Sequence, residues 1–160
     1  VAVKREPVDL SALMERQLAL DMPLLEQRGQ RLVKGLTPGT VVTGDASLLG
    51  RTAGNLLSNA SLYSPDGAEI RVWCGLLDGR PTLTVENTGV QISEEALPHL
   101  FEAFYRAEGS RNRATGGSGL GLYLVKMILD RHGATYTIEN TADGVRAQII
   151  FPVDEPALRD

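Results

Sequence analysis

Asn55 and Asn59 stand four residues apart inside the run GNLLSNASLYS. On a helix that spacing puts both amides on one face. Asparagine is a poor mid-helix residue, costing roughly half a kcal/mol against alanine, so two of them among leucines need partners. Two readings are open. Either they bond neighbouring backbone or solvent, or their side-chain oxygens point into a pocket. There one could ligate a hard cation such as Mg2+, which takes few protein ligands beside phosphate oxygens and water.

A second signal is ATGGSGLGLYLVKMI, residues 114–128, where glycines at 116, 117, 119 and 121 run straight into an apolar helical pattern. No Lys-Ser/Thr pair follows and no strand leads in, so this is not a P-loop. Nor is it GxGxxG, because the sixth position counted from Gly117 is Leu122. What remains is flexible backbone entering a helix N-terminus, whose free N–H groups and dipole favour an anion. A plain mobile loop is the competing reading. Third comes VENTGVQIS, a strand leading into Asn87, Gly89 and Ile92. It is either a strand-ending turn or part of a site. Fourth, LFEAFYR leads into Arg106, Arg111 and Arg113, which form either a solvated face or cationic partners for phosphate beside the glycines.

The elements that must position these residues follow from periodicity. Residues 8–30 read as a helix with Leu10, Leu13, Leu18, Leu24 and Leu25 on its apolar side. Asp9 or Ser11 supplies the N-cap, Gly29 marks the stop, and Pro23 predicts a kink or boundary. RLVKG and TVVTG are short strands, and Asp45 precedes a second helix ended by the turn SPDG. AEIRVWCGLL alternates, with Ile70, Val72, Cys74 and Leu76 predicted to face inward, and PTLTVEN returns from the hairpin signal DGR. ISEEALPHLFEAFY predicts one or two short helices, and residues 106–118 a lid. A third helix over 119–131 ends at Gly133, with Lys126, Arg131 and His132 suited to its dipole. ATYTIEN and VRAQIIF close a second hairpin. Strands in hairpins interleaved with three main helices predict an α+β two-layer sandwich, a mixed sheet of about five strands covered on one face.

The chain of 160 residues carries a net charge of −4 and 42% hydrophobic residues. One domain over 1–153 with a polar tail over 154–160 is expected. The acidic balance argues against a nucleic-acid partner. No stretch has the length of a membrane span and no signal peptide is visible. The single Cys74 excludes an internal disulfide and reads as a small buried hydrophobe in a reducing compartment. A first residue Val1 suggests a piece of something longer.

Taken in order, the four stretches resemble the catalytic ATP-binding domain of bacterial sensor histidine kinases, the Bergerat fold shared with gyrase. GNLLSNASLYS looks like the N box, VENTGVQI the G1 box, LFEAFYR the F box and GGSGLGLYLVK the G2 box. DGVRAQIIFP is similar to the closing strand. The match covers almost the whole chain, and the wording of VENTG and EALPHLFEAFYR is similar to sensor kinases of the vancomycin-resistance type.

The resemblance implies ATP and Mg2+ as ligands, with Asn59 as the metal ligand and Asn55 its companion near the phosphates. In ATP-hydrolysing relatives the position of Asn55 is a glutamate that activates water; an amide cannot do that, which suits a kinase that transfers phosphate. Tyr63, Asn87, Gly89 and Ile92 would line the nucleotide pocket. Gly117, Gly119, Leu120, Gly121 and Leu122 would bring backbone to the phosphates, with Arg106 and Arg111 as cationic helpers. Three positions depart from the family pattern. Asn87 replaces the aspartate that accepts from the adenine amino group, which predicts nucleotide affinity weaker by about 1 kcal/mol. Gln91 replaces the second G1 glycine and predicts a stiffer or reshaped hinge. Leu62 stands where lysine is frequent, with Arg51, one turn before Asn55, as a substitute for the missing phosphate contact.

Only His99 and His132 are present, and neither precedes the acidic-x-x-x-Pro pattern of a phosphoacceptor helix, so both are expected to be structural. The implied partners are the dimerisation and histidine-phosphotransfer domain of the same kinase and a downstream response regulator. The implied setting is the cytoplasmic side of a membrane-anchored sensor, with this piece itself monomeric and making no membrane contact. The alternative is a degenerate nucleotide-binding or interaction module without phosphotransfer, supported by Asn87, Gln91 and Leu62.

Overall fold

The computed structural model describes residues 2–103 and 121–153. The chain order is β1 (Glu6–Asp9), α1 (Leu10–Gln27), β2 (Arg31–Leu36), β3 (Val41–Gly44), α2 (Ala46–Tyr63), β4 (Glu69–Leu77), β5 (Arg80–Thr88), a 3₁₀ turn (Leu97–His99), α3 (Gly121–Arg131), β6 (Thr135–Asn140) and β7 (Gly144–Ile150). Five strands form one sheet in the order β2-β4-β5-β7-β6. β2 and β4 are parallel and the other pairs antiparallel, so the sheet is mixed as expected. The lid span 106–118 and the tail 154–160 lie outside the described residues.

β1 is a strand that periodicity missed. It pairs antiparallel with β3, Val8 opposite Val42, in a separate two-stranded ribbon. Its last residue, Asp9, caps α1 by accepting the Ala12 N–H at 3.1 Å. Ser11, the other candidate cap, is instead buried and donates its hydroxyl to Thr37 O at 2.6 Å. Pro23 does not end α1, which runs through it to Gln27. The carbonyl it orphans belongs to Ala19, on the exposed side where water can serve it.

One face of the sheet carries the core. Leu49, Ala53, Leu56 and Leu57 of α2 meet Ile70, Val72, Leu83 and Val85, with Val125 and Leu129 of α3 beside them. Each such leucine contributes about 2 kcal/mol by leaving water. Leu76 corrects the predicted alternation: it is 61% exposed, because β4 runs on past the helices that cover Ile70, Val72 and Cys74.

The opposite face is laid with charge. Arg71, Glu86, Arg146 and Glu139 are register partners across β4, β5, β7 and β6. Their ion pairs measure 3.4 Å (Arg71–Glu86), 3.0 Å (Glu86–Arg146) and 3.4 Å (Arg146–Glu139). Asp143 closes the row on Arg71 at 2.8 Å, and that bond holds its carboxyl below the usual carboxylate range.

His132 is buried, as a structural histidine should be, but it does not act as a dipole cation. Its Nε2 accepts the Asp45 N–H at 3.0 Å while Nδ1 lies 2.8 Å from Ile128 O. That pattern fixes the tautomer with the proton on Nδ1. It ties the end of α3 to the residue that caps α2. The α3 terminus is served instead by Arg5, whose guanidinium donates to Arg131 O at 3.2 Å.

Candidate functional site

The asparagine face of α2 exists because the helix is firmly anchored at both ends. At its start Asp45 accepts the Leu48 N–H at 3.2 Å and the Lys4 N–H at 3.1 Å. Those backbone bonds, Leu48 first, hold its carboxyl below the ordinary aspartate range. At its end, carbonyls that no helical partner can reach are met by the α1–β2 connection. Arg28 donates to Ser61 O, and to Ser64 O at 2.8 Å. Gln30 donates to Ser61 O at 3.0 Å and accepts the Ser61 hydroxyl at 2.6 Å. A guanidinium there also complements the helix dipole. Neither residue stood out in the sequence, where both look like ordinary loop polars.

Between these anchors Asn55, Asn59 and Tyr63 recur every four residues, half-buried, along one flank of α2. Asn55 and Asn59 converge on the start of α3. Asn55 Nδ2 makes a long 3.4 Å contact with Gly121 O. A Cβ placed on Gly121 would lie 3.8 Å from Asn59 Nδ2 and 3.9 Å from its Oδ1. The N-terminal turn of α3, with Leu122 next, therefore opens onto the two amides. Among the described residues, no hydrogen bond engages the Asn59 side chain.

Asn87 sits near the end of β5 on the helix-facing side, opposite Ile70 on one flank and Val145 on the other. It is only 9% exposed, yet its side-chain amide has no hydrogen-bond partner among the described residues. Gly89 follows with φ +86°, and a Cβ there would strike Pro65 Cγ at 2.7 Å. That close approach seats the β5 loop against the end of α2 and joins the two halves of the site. The next strand comes equally close: a Cβ on Gly144 would fall 1.8 Å from Asn87 O. Ile92 is held by Asn140, which neither composition nor spacing marked.

Phe101 of the F-box stretch stacks edge-on against Tyr136 at 5.0 Å, and Tyr136 donates its hydroxyl to Asp130 at 2.7 Å. Burial, then that hydrogen bond, pushes the Tyr136 phenol up. The structure thus brings together Asn55, Asn59, Gly121 and Leu122, and seats Asn87, Gly89 and Ile92 beside the end of α2 that carries Tyr63. Arg106, Arg111, Gly117, Gly119 and Leu120 lie outside the described residues. No group of three His, Cys, Asp or Glu side chains that could cage a metal occurs among the described residues. The neutral oxygens of Asn55 and Asn59 fit only a cation that brings most of its ligands as phosphate and water, which is the habit of Mg2+.

Residues 44–155 match the family described as histidine kinase-, DNA gyrase B-, and HSP90-like ATPase. The chain is 37% identical over 151 residues to the sensor protein VanSB of Enterococcus faecalis, covering 94% of this chain and 33% of that protein. This similarity supports the narrower resemblance to vancomycin-resistance sensors. It is 34% identical over 161 residues to the signal transduction histidine-protein kinase BaeS of Escherichia coli, covering 100% of this chain and 34% of that protein. Among solved structures it is similar to the mycobacterial sensor histidine kinase MprB, with TM-score 0.82 and 30% identity, covering 92% of this chain and 97% of that one. The chain spans about a third of the length of these curated relatives. With the asparagine face, the glycine-led helix and the five-stranded sheet all in place, this chain belongs to the histidine kinase-, DNA gyrase B- and HSP90-like ATPase family, as the ATP-binding domain of a sensor histidine kinase.

Proposed function

We propose that this chain binds Mg-ATP between α2, the start of α3 and the end of β5, and presents the γ-phosphate to a histidine on the dimerisation and phosphotransfer domain of its own kinase. The observation that carries this reading is the convergence of Asn55 and Asn59 on Gly121, at the N-terminus of α3. Asn87 Oδ1 accepts from the adenine amino group, which gives a use to an amide that bonds nothing among the described residues. Tyr63 and Ile92 flank the base. The first N–H groups of α3, at Gly121 and Leu122, face the phosphates, where helix termini bind anions. By the resemblance, Gly117, Gly119 and Leu120 extend that cradle and Arg106 and Arg111 add positive charge.

Asn59 would hold Mg2+, with Asn55 beside it, and a bound ion would supply neutralising charge to the phosphate oxygens. Asn55 is an amide, so no carboxylate stands ready to deprotonate water, and the bound γ-phosphate waits for its acceptor. That acceptor comes from outside this chain. His132 is buried with both ring nitrogens engaged, and His99 is paired with Glu102 at 2.7 Å. From the histidine the phosphoryl group passes to an aspartate of a response regulator. In the full-length protein this domain would lie on the cytoplasmic side of a membrane-anchored sensor, and alone it is a monomer. No helix among the described residues is long and apolar enough to cross a membrane.

The test mixes this chain with its own dimerisation domain and labelled ATP. An acid-labile, base-stable phosphoprotein is expected. Clear ATP binding with no such product would point to the module without phosphotransfer.

A further inference from the structure

The β5 loop from Gly89 to Ile92 does not end freely; it is mounted on the turn between β6 and β7. Gly89 N–H donates to Asp143 O at 3.0 Å, and the Gln91 side-chain amide donates to Thr141 O. Asn140 does most of the holding. Its Oδ1 accepts the Ile92 N–H at 2.8 Å, and its Nδ2 donates to Ile92 O at 2.7 Å. One side chain thereby satisfies both polar groups of one residue, as a neighbouring strand would. Asn140 is the register partner of Val145, and Val145 that of Asn87. Asn87, Val145 and Asn140 therefore form one row across three strands on the helix-facing side. The row fixes how far Ile92 stands from Asn87.

We infer that Asn140, assisted by Gln91, is a positioning residue for the base of the bound nucleotide: it sets the Ile92 wall at a fixed span from the Asn87 acceptor. This rests on the proposed ATP site. It also gives a role to Gln91, the residue standing where the family carries a glycine. A glycine gains entropy from an untethered loop; here the tether replaces that freedom with a hydrogen bond to Thr141.

The span matters because a hydrogen bond from the base to Asn87 is steeply distance-dependent, and a drifting wall lets the base settle out of reach. Calorimetric titration with Mg-ATP of the parent chain, Asn140→Ala, Ile92→Ala and the double variant separates positioning from general support. Asn140→Ala is expected to weaken binding about tenfold, and Ile92→Ala by a similar factor. The double variant should lose little beyond either alone, since residues acting through one another are non-additive. Asn140→Ser, which keeps one acceptor for the Ile92 N–H, should recover part of the loss. Amide exchange at Ile92 should quicken at least about tenfold in Asn140→Ala while Leu57 in the core stays protected. Losses that multiply, affinity within about twofold of the parent, or collapse of the fold in both Asn140 variants would each overturn the inference. A parent chain that binds no Mg-ATP would instead remove the functional reading beneath it.

Discussion

The two faces of the central sheet are built from the same strands, one residue out of step, and they treat polar groups in opposite ways. On the open face every charge in the row Arg71, Glu86, Arg146, Glu139 meets an opposite charge on the next strand. On the covered face the neighbouring row is Ile70, Asn87, Val145, Asn140. One of its amides, Asn140, has both its oxygen and its nitrogen engaged by Ile92. The other, Asn87, is nine-tenths buried and engaged by nothing among the described residues. Among the described residues the fully buried side-chain atoms without a partner are the hydroxyls of Thr52 and Ser64, and the amides of Asn87 and Asn59 also bond nothing, on the side proposed for the nucleotide. The difference teaches where stability is given up for binding.

The comparison breaks first at Asn59. Asn59→Ala removes the proposed metal ligand and should reduce phosphoryl transfer by about a hundredfold or more, with the melting temperature nearly unchanged because no hydrogen bond among the described residues engages that amide. A phosphorylation assay beside a thermal melt reads both. A large loss of stability with normal transfer would place Asn59 in the scaffold.

Next is the anchor beneath that helix. Gln30→Leu strands the Ser61 hydroxyl and removes one of the two side-chain bonds to the Ser61 carbonyl, leaving that of Arg28, and should cost about 2 kcal/mol, or roughly 4–8 °C in melting temperature for a domain of this size. Because the last turn of α2 carries Asn59 and Tyr63, ATP affinity should fall with it. Urea unfolding and a nucleotide titration on the same variant check the pair.

The open face should respond least. Arg146→Ala breaks two half-exposed ion pairs, each worth roughly 0–1 kcal/mol, and should leave nucleotide binding untouched. Acid acts on both sides. On the open face Arg71 holds the Asp143 carboxyl, and on α3 Lys126 holds that of Asp130, below the ordinary range. Groups depressed in the folded state stabilise it above their unfolded pKa, near 3.9, and that contribution fades as pH falls through the lower folded value. Stability should therefore drop below about pH 4, and Arg71→Gln should flatten that part of the curve.

Much of this site was legible because its signals are local. Asn55 and Asn59 declare a face by spacing alone, Asp45 declares a cap, and Asn87 with Gly89 declares the end of a strand. What escaped depends on partners far along the chain. β1 looked like the start of a helix because its only partner, β3, lies beyond the whole of α1 and β2. Asn140 looked like the last residue of a strand and no more, since Ile92 is 48 positions away. Arg28 and Gln30 meet Ser61 across 33 and 31 positions, and no periodicity spans that distance. Leu76 misled for a different reason. Its alternation is sound, but the sheet outruns its helices, and coverage is a property of packing and not of the strand.

The most direct measurement is Asn87→Leu, which keeps the volume of the side chain and removes the unengaged amide. Calorimetric titration with Mg-ATP and a urea unfolding curve are taken on the same preparation. If Asn87 is kept for the nucleotide, the variant is at least as stable as the parent, because an amide that bonds nothing among the described residues has been replaced by an apolar group, and it binds Mg-ATP about tenfold more weakly. Unchanged affinity, or a loss of stability with affinity intact, would contradict it and make Asn87 a residue of the fold alone.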